Sequence, residues 1–213
     1  PRDFDTHKGQ AGRVGIVAGS RGMLGAGSLS ALGALRGGAG LVTLYVLEKD
    51  YLPMVSTGVP PEVMVRALSS YEDLGSAHQT ALVIGPGLGC PGETETDALL
   101  KLLECSRMPL VVDADGLNLM SAAGMEGRVK SHMVLTPHPG EMERMFPEAS
   151  VLGRADCARA FVGSYPCTLL YKGSRTIVTS AGEDLHYNVT GNPGMATAGA
   201  GDVLAGLIGA LLA

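Results

Sequence analysis

Val14-Gly15-Ile16-Val17-Ala18 runs into Gly19-Ser20-Arg21-Gly22-Met23-Leu24-Gly25-Ala26-Gly27, then into Ser28 to Arg36, rich in alanine and leucine, and then into Leu41 to Leu47. A β-rich run, a glycine-rich loop, a helical segment and a second β-rich run make one βαβ unit, and such units build parallel sheets. Working outward, the alternation continues. Ala81 to Ile84 reads as a strand, Glu93 to Glu104 as a helix, and Leu110 to Val112 as a strand ending in Asp113. Met133 to Leu135 is a strand leading into Thr136-Pro137-His138-Pro139-Gly140-Glu141 and a helix. Thr168 to Tyr171 and Thr176 to Thr179 read as a hairpin around Lys172-Gly173-Ser174-Arg175, with Asp184 to Val189 as a further strand of that antiparallel edge. The fold class expected is α/β, with a mostly parallel sheet, and residues 1–213 read as one domain without linker, low-complexity tract or internal repeat.

Composition narrows the function. Lys plus Arg number 16 against 21 Asp plus Glu, a net charge of −5, which argues against a nucleic-acid or anionic-membrane surface partner while leaving room for a local nucleotide site. Cys90, Cys105, Cys157 and Cys167 show no metal-ligand spacing and read as buried thiols of a reducing compartment. With no signal peptide and no apolar run long enough to span a bilayer, a cytoplasmic protein is expected. The chain begins at Pro1 and stops at Ala213 within an apolar run that suits a core helix, so it reads as truncated at its C-terminus.

Ligands of open α/β sheets bind beyond the carboxyl ends of the strands. The loops after the expected strands are therefore the places to look for chemistry. Gly191-Asn192-Pro193-Gly194-Met195-Ala196-Thr197-Ala198-Gly199-Ala200-Gly201-Asp202 opens directly into the last apolar stretch. A small-residue loop feeding a helix leaves backbone N–H groups free for an anion, and Asp202 at such a site suits proton transfer. Its alternative is a helix cap. Gly19 to Gly27 reads equally as a close backbone approach to a ligand or as a turn feeding a tightly packed helix.

Gly87-Leu88-Gly89-Cys90-Pro91-Gly92 matches the dinucleotide pattern G-x-G-x-x-G. Pro86 and Pro91 and its mid-chain position count against a Rossmann oxidoreductase. His138, fixed between two prolines, reads as a ligand contact, the alternative being a solvated loop residue. Glu141 reads as a helix-start residue or as a group orienting a metal through water. Asp113 and Asp115, with Asn118, read as a Mg²⁺ or polar-substrate site, or as an Asx turn. Lys172, Gly173 and Thr176 read as a phosphate or ribose contact, or as an exposed hairpin. There is no Walker A sequence.

Taken in order, these segments resemble the ADP/ATP-dependent NAD(P)H-hydrate dehydratase family of the ribokinase-like superfamily. The resemblance rests on His7-Lys8-Gly9, the Gly19 to Gly40 block with Leu41-Val42, Ile84-Gly85-Pro86-Gly87-Leu88-Gly89 and Val112-Asp113-Ala114-Asp115-Gly116-Leu117-Asn118. It continues through Thr136 to Glu141, Tyr171-Lys172-Gly173 and Asn192-Pro193-Gly194-Met195-Ala196-Thr197. It implies a three-layer sandwich with helices on both sheet faces, ADP or ATP with Mg²⁺ as cofactors, and S-NAD(P)HX, the hydrated nicotinamide cofactor, as substrate. By the same resemblance Asp202 is the catalytic base. Ala26, Gly87, His138 and Asp202 contact the substrate, and Lys172, Gly173, Ser174, Arg175, Thr176, Gly199 and Gly201 contact the nucleotide. A homo-oligomer, and fusion or coupling to an NAD(P)HX epimerase, are further expectations. The chain departs from the family at Ala198-Gly199-Ala200-Gly201-Asp202, where Gly-Gly-Thr-Gly-Asp is more usual. The replacements stay small but remove a hydroxyl near the phosphate. The alternatives are a small-molecule alcohol kinase of the thiazole or pyrimidine type and a catalytically inactive nucleotide-binding domain.

Overall fold

Strands buried on both faces need apolar residues at every position, and the computed structural model bears this out in the middle of the sheet. It describes residues 4–5, 7–76 and 78–213; Pro1, where the chain begins, lies outside them. Among these residues nine strands form one sheet: β1 (Arg13–Val17), β2 (Leu41–Leu47), β3 (Met64–Leu68), β4 (Ala81–Ile84), β5 (Leu110–Val112), β6 (Met133–Leu135), β7 (Thr168–Tyr171), β8 (Ile177–Ser180) and β9 (His186–Tyr187). Their order is β3-β2-β1-β4-β5-β6-β7-β8-β9. The first seven are parallel, and β8 and β9 add the antiparallel edge.

Among the described residues seven α-helices cover the two faces: α1 (Leu24–Arg36), α2 (Glu48–Ser56), α3 (Glu93–Cys105), α4 (Asp115–Ala123), α5 (Pro139–Met145), α6 (Arg154–Ser164) and α7 (Ala200–Leu212). On one face Ile16, Leu44, Val83 and Val111 pack with Ala31 and Ala34 of α1, Met54 of α2 and Ala205 of α7. On the other, Val17, Ile84, Leu110 and Val112 pack with Leu99 of α3, Met120 of α4, Met142 of α5 and Phe161 of α6. The result is the expected three-layer sandwich with helices on both faces of the sheet. Among the described residues no helix is long and apolar enough to cross a membrane.

Several boundaries differ from the sequence reading. α1 starts at Leu24, not Ser28, because the Met23 N–H closes a turn onto Ser20 O at 2.8 Å and launches the helix early. Ala26 is therefore helical. Glycine is a poor helix former, which hid this turn. α2 and β3 were not anticipated: α2 carries Pro53, and β3 is an exposed edge strand. β8 begins one residue late because Thr176 is held in the turn, its hydroxyl on Gly173 O at 3.2 Å. The strand expected over Asp184 to Val189 shrinks to β9, since an outermost strand is held from one side only.

Two burial expectations are corrected. α7 buries only one side, with Leu211 73% exposed, because no other element covers its outer face among the described residues. Cys157 and Cys167 are buried, and burial pushes both thiols up, Cys167 to about 12, whereas Cys90 and Cys105 are exposed on the loop before α3 and at its end.

Candidate active site

β1 and β4 lie side by side, but α1 leaves β1 over one face and α3 leaves β4 over the other. Crossovers that part in this way open a crevice at the carboxyl ends of the two strands. The loops there are tied together, with the Gly19 N–H donating to Pro86 O at 2.8 Å. Gly87 sits at φ +63°, and a Cβ on it would lie 2.8 Å from the Ala26 Cβ and from Met23 O. Ala26 and Gly87, expected to contact substrate, are thus neighbours across the crevice. Gly85 is required for a different reason: at φ +131° its Cβ position is filled by the carbonyl of Asp113.

The β5–α4 turn brings in the carboxylates. Ala114 adopts φ +47°, a strained conformation for a residue with a side chain, between Asp113 and Asp115. Asp113 is 2% exposed and accepts from Lys172 Nζ at 2.6 Å. Lys172 is mostly buried, with its ammonium 3.9 Å from Glu141 Oε2, so the reading as an exposed hairpin lysine is overturned. Asp115 accepts from the Gly89 N–H at 2.8 Å and from Asn118 Nδ2 at 3.3 Å, which ties the two turns together.

α7 supplies the third part. Its N-cap is Gly199 in the left-handed conformation at φ +86°, with no side-chain cap. Asp202 lies inside the first turn, so it does not cap the helix. The Ala200 N–H reaches Thr197 O at 3.3 Å, whereas those of Gly201 and Asp202 bond to no described residue. Gly201 faces the ion pair, its Cβ position 3.6 Å from Lys172 Nζ and 3.8 Å from Asp113 Oδ2. Burial, and next the Asp113 carboxylate, raise the Asp202 pKa above the ordinary carboxylate value; Lys172 opposes this and Asp115 adds to it. The helix therefore presents free donors beside a carboxyl held back from ionising.

His138 caps α5 in a reciprocal box. Its Nδ1 accepts from the Glu141 N–H at 3.2 Å, and Glu141 Oε2 accepts from the His138 N–H at 2.7 Å. The same loop reaches the hairpin, the Lys172 N–H donating to Pro137 O at 2.8 Å. Ser174 and Arg175 are exposed, and their side chains hydrogen-bond no described residue. The Asn192 to Thr197 block is an exposed turn in which Asn192 Oδ1 accepts from the Gly194 N–H at 2.9 Å.

Two residues escaped the sequence reading. Arg154 stacks on the Tyr171 ring at 4.6 Å and donates from Nη2 to the carbonyls of Tyr171 and Lys172, each at 3.0 Å. Ser30 Oγ donates to Asp202 O at 2.9 Å, pinning α7 to α1. Neither lies in a recognisable motif.

The donor set suits a phosphate better than a bare cation. Free amides, a glycine with no side chain and a lysine converge at the start of α7, as an anion needs. Among the described residues no group of three or more His, Cys, Asp or Glu is arranged to hold a metal. Mg²⁺ commonly keeps waters and binds through substrate phosphates plus one or two carboxylates, and Asp113 and Asp202 fit that limited part.

Fold and site together define a ribokinase-like α/β domain whose last helix starts with free amides at the sheet's carboxyl edge. The NAD(P)H-hydrate dehydratase family model matches residues 14–213, and the chain belongs to that family. It is 40% identical over 227 residues to a bifunctional NAD(P)H-hydrate repair enzyme of Moorella thermoacetica, covering 99% of this chain and 42% of the relative. The chain thus spans less than half the length of that relative. A crystal structure of a ribokinase-like superfamily protein from Enterococcus faecalis superposes with a TM-score of 0.84 at 28% identity, covering 100% of this chain and 75% of the other. The ADP/ATP-dependent NAD(P)H-hydrate dehydratase from Bacillus subtilis, co-crystallized with ATP/Mg2+, gives a TM-score of 0.79 at 29% identity over 100% of this chain and 75% of that one.

Proposed function

We propose that the chain carries a nucleotide-dependent dehydratase activity that converts S-NAD(P)HX to NAD(P)H. The observation that carries the reading is Asp202 beside the free amides of Gly201 and Asp202, with Gly201 facing the Lys172–Asp113 pair. In the first step Asp202 takes the proton of the substrate hydroxyl as its oxygen forms a bond to the terminal phosphorus of ADP or ATP. The bond from that phosphorus to the departing nucleotide breaks. In the second step the C–O bond to phosphate breaks and the neighbouring ring carbon gives up its proton to the departing phosphate, restoring the dihydronicotinamide. Hydroxide is a poor leaving group and phosphate a good one, which is why the nucleotide is needed.

Catalysis then rests on placement and charge. The α7 amides donate to the phosphate oxygens and stabilise the charge that develops there. Lys172, kept in place by Asp113 and Glu141, faces the same point, and Mg²⁺ carried in with the nucleotide would supply further charge neutralisation. Ala26, Gly87 and His138 line the substrate side, with Lys172 to Thr176, Gly199 and Gly201 on the nucleotide side. The loss of a threonine hydroxyl at Ala200 leaves these amides untouched. Coupling to an epimerase, as in a bifunctional repair enzyme, and a homo-oligomeric assembly belong to the same proposal.

The test is recovery of the dihydronicotinamide absorbance when S-NADHX, Mg²⁺ and ADP or ATP are added to wild type and to Asp202→Asn. Recovery that requires nucleotide and is absent in the variant supports the reading. Accumulation of a stable phosphorylated product would assign a kinase instead.

A further inference from the structure

The opposite edge of the sheet carries a second concentration of donors. Parallel register sets Gly15 beside Thr43 and Thr43 beside Met64, and Tyr45 beside Arg66, so alternate residues of β1, β2 and β3 share one face. Near the amino-terminal ends of these strands that face opens into a hollow of about 350 Å³, walled by Arg13, Thr43, Tyr45, Arg66, His78 and Gln79. Gly15 shapes its floor. A Cβ there would lie 2.5 Å from Leu82 Cδ2, 3.0 Å from Gln79 Cγ and 3.2 Å from Tyr45 Cε2, so only glycine lets these side chains lie across β1.

The lining contains no Asp or Glu, in a chain with 21 acidic residues against 16 Lys and Arg. Neither Arg13 nor Arg66 has a carboxylate partner among the described residues, whereas Arg128 and Arg159 each do. Thr43 is 3% exposed, lines the hollow, and its hydroxyl has no hydrogen-bond partner among the described residues. Tyr45 Oη accepts from Gln79 Nε2 at 2.6 Å, which leaves its own proton free to donate. The Thr43 hydroxyl oxygen still reaches the hollow, so it is free to donate there. Two guanidinium groups and two hydroxyl donors around one opening match the oxygens of a phosphate.

We infer that this hollow binds a phosphate group, free or carried on a small molecule, at a site separate from the crevice. It begins where β1 begins, and the candidate active site begins where β1 ends.

The experiment is a residue-resolved ¹H–¹⁵N titration of the intact chain with inorganic phosphate, and in a second arm with glycerol 3-phosphate, at constant ionic strength against chloride. Saturable shifts at Thr43, Tyr45 and Arg66 are expected, read separately from any at Gly199 to Asp202. Arg66→Ala should weaken the first set at least about tenfold and Thr43→Val about threefold, since each removes one donor. Both variants should keep the wild-type melting temperature and turnover. Tighter binding of glycerol 3-phosphate would point to a phosphomonoester as occupant and equal binding to phosphate itself; either upholds the site. Shifts that chloride reproduces, that fail to saturate, or that survive both substitutions would overturn it.

Discussion

At Asp202 the fold opposes the charge that the proposed reaction needs. Burial and the neighbouring Asp113 raise its pKa, so the base is ready only above the raised value. The acid limb of kcat/KM should therefore fall at a pH above the ordinary aspartate value of 3.8, and a pH profile of wild type reads this directly. Asp202→Asn should lower kcat by about 10³-fold or more. For stability the sign runs the other way. An acid whose folded pKa is raised costs nothing below its unfolded pKa, and costs progressively more as pH rises through the folded one. Asp202→Asn should thus melt no lower than wild type at pH 7, and any advantage should vanish in melts below about pH 4. Lys172→Met is the contrasting case. It would strand the Asp113 carboxylate, 2% exposed, without its 2.6 Å partner, and urea titration should show a loss of about 3 kcal/mol.

Among elements, the contact of α1 with α7 decides where Asp202 stands. The Cβ position of Gly206 falls on Ser30 O, and that of Gly33 on Val203 O, so backbone meets backbone across the two helices. Gly206→Ala should push α7 away from α1, costing about 2 kcal/mol or more by denaturant titration. It should also lower kcat, since Asp202 moves with the helix. The link from α6 to the hairpin behaves differently. Arg154 holds the carbonyls of Tyr171 and Lys172 at 3.0 Å, and its guanidinium fills the space beside Gly173. Arg154→Ala should raise the nucleotide KM about tenfold, one lost charge-assisted hydrogen bond's worth, with a smaller change in kcat. Lysine at this position should not rescue it, because an ammonium cannot stack on Tyr171 and reach both carbonyls.

For the molecule as a whole, a nucleotide that binds only the folded state must stabilise it. ADP at about a hundred times its Kd should add about 2.7 kcal/mol and raise the melting temperature by roughly 5–10 °C, in wild type and Asp202→Asn alike. A rise confined to wild type would show that Asp202 acts in binding. Much of this architecture was legible in the chain. The parallel strands, the antiparallel edge, and the glycine-rich turns after β1 and β4 follow from apolar periodicity and turn chemistry, which are local properties. Less was legible where local signals are weak: the first turn of α1 is glycine-rich, β3 is exposed, and α2 carries a proline. Motif order marked Asp113, His138, Lys172 and Asp202. It did not reveal that Lys172 is spent on Asp113, 59 residues away, or that Ser30 and Arg154 hold the site in place. Sequence by itself determined the α/β class, the family and the loops that form the candidate site, because these depend on residues close in the chain. Tertiary structure alone decided which charges pair, which donors stay free and which carboxyl is held back from ionising, because those depend on groups that burial brings together from distant strands and helices.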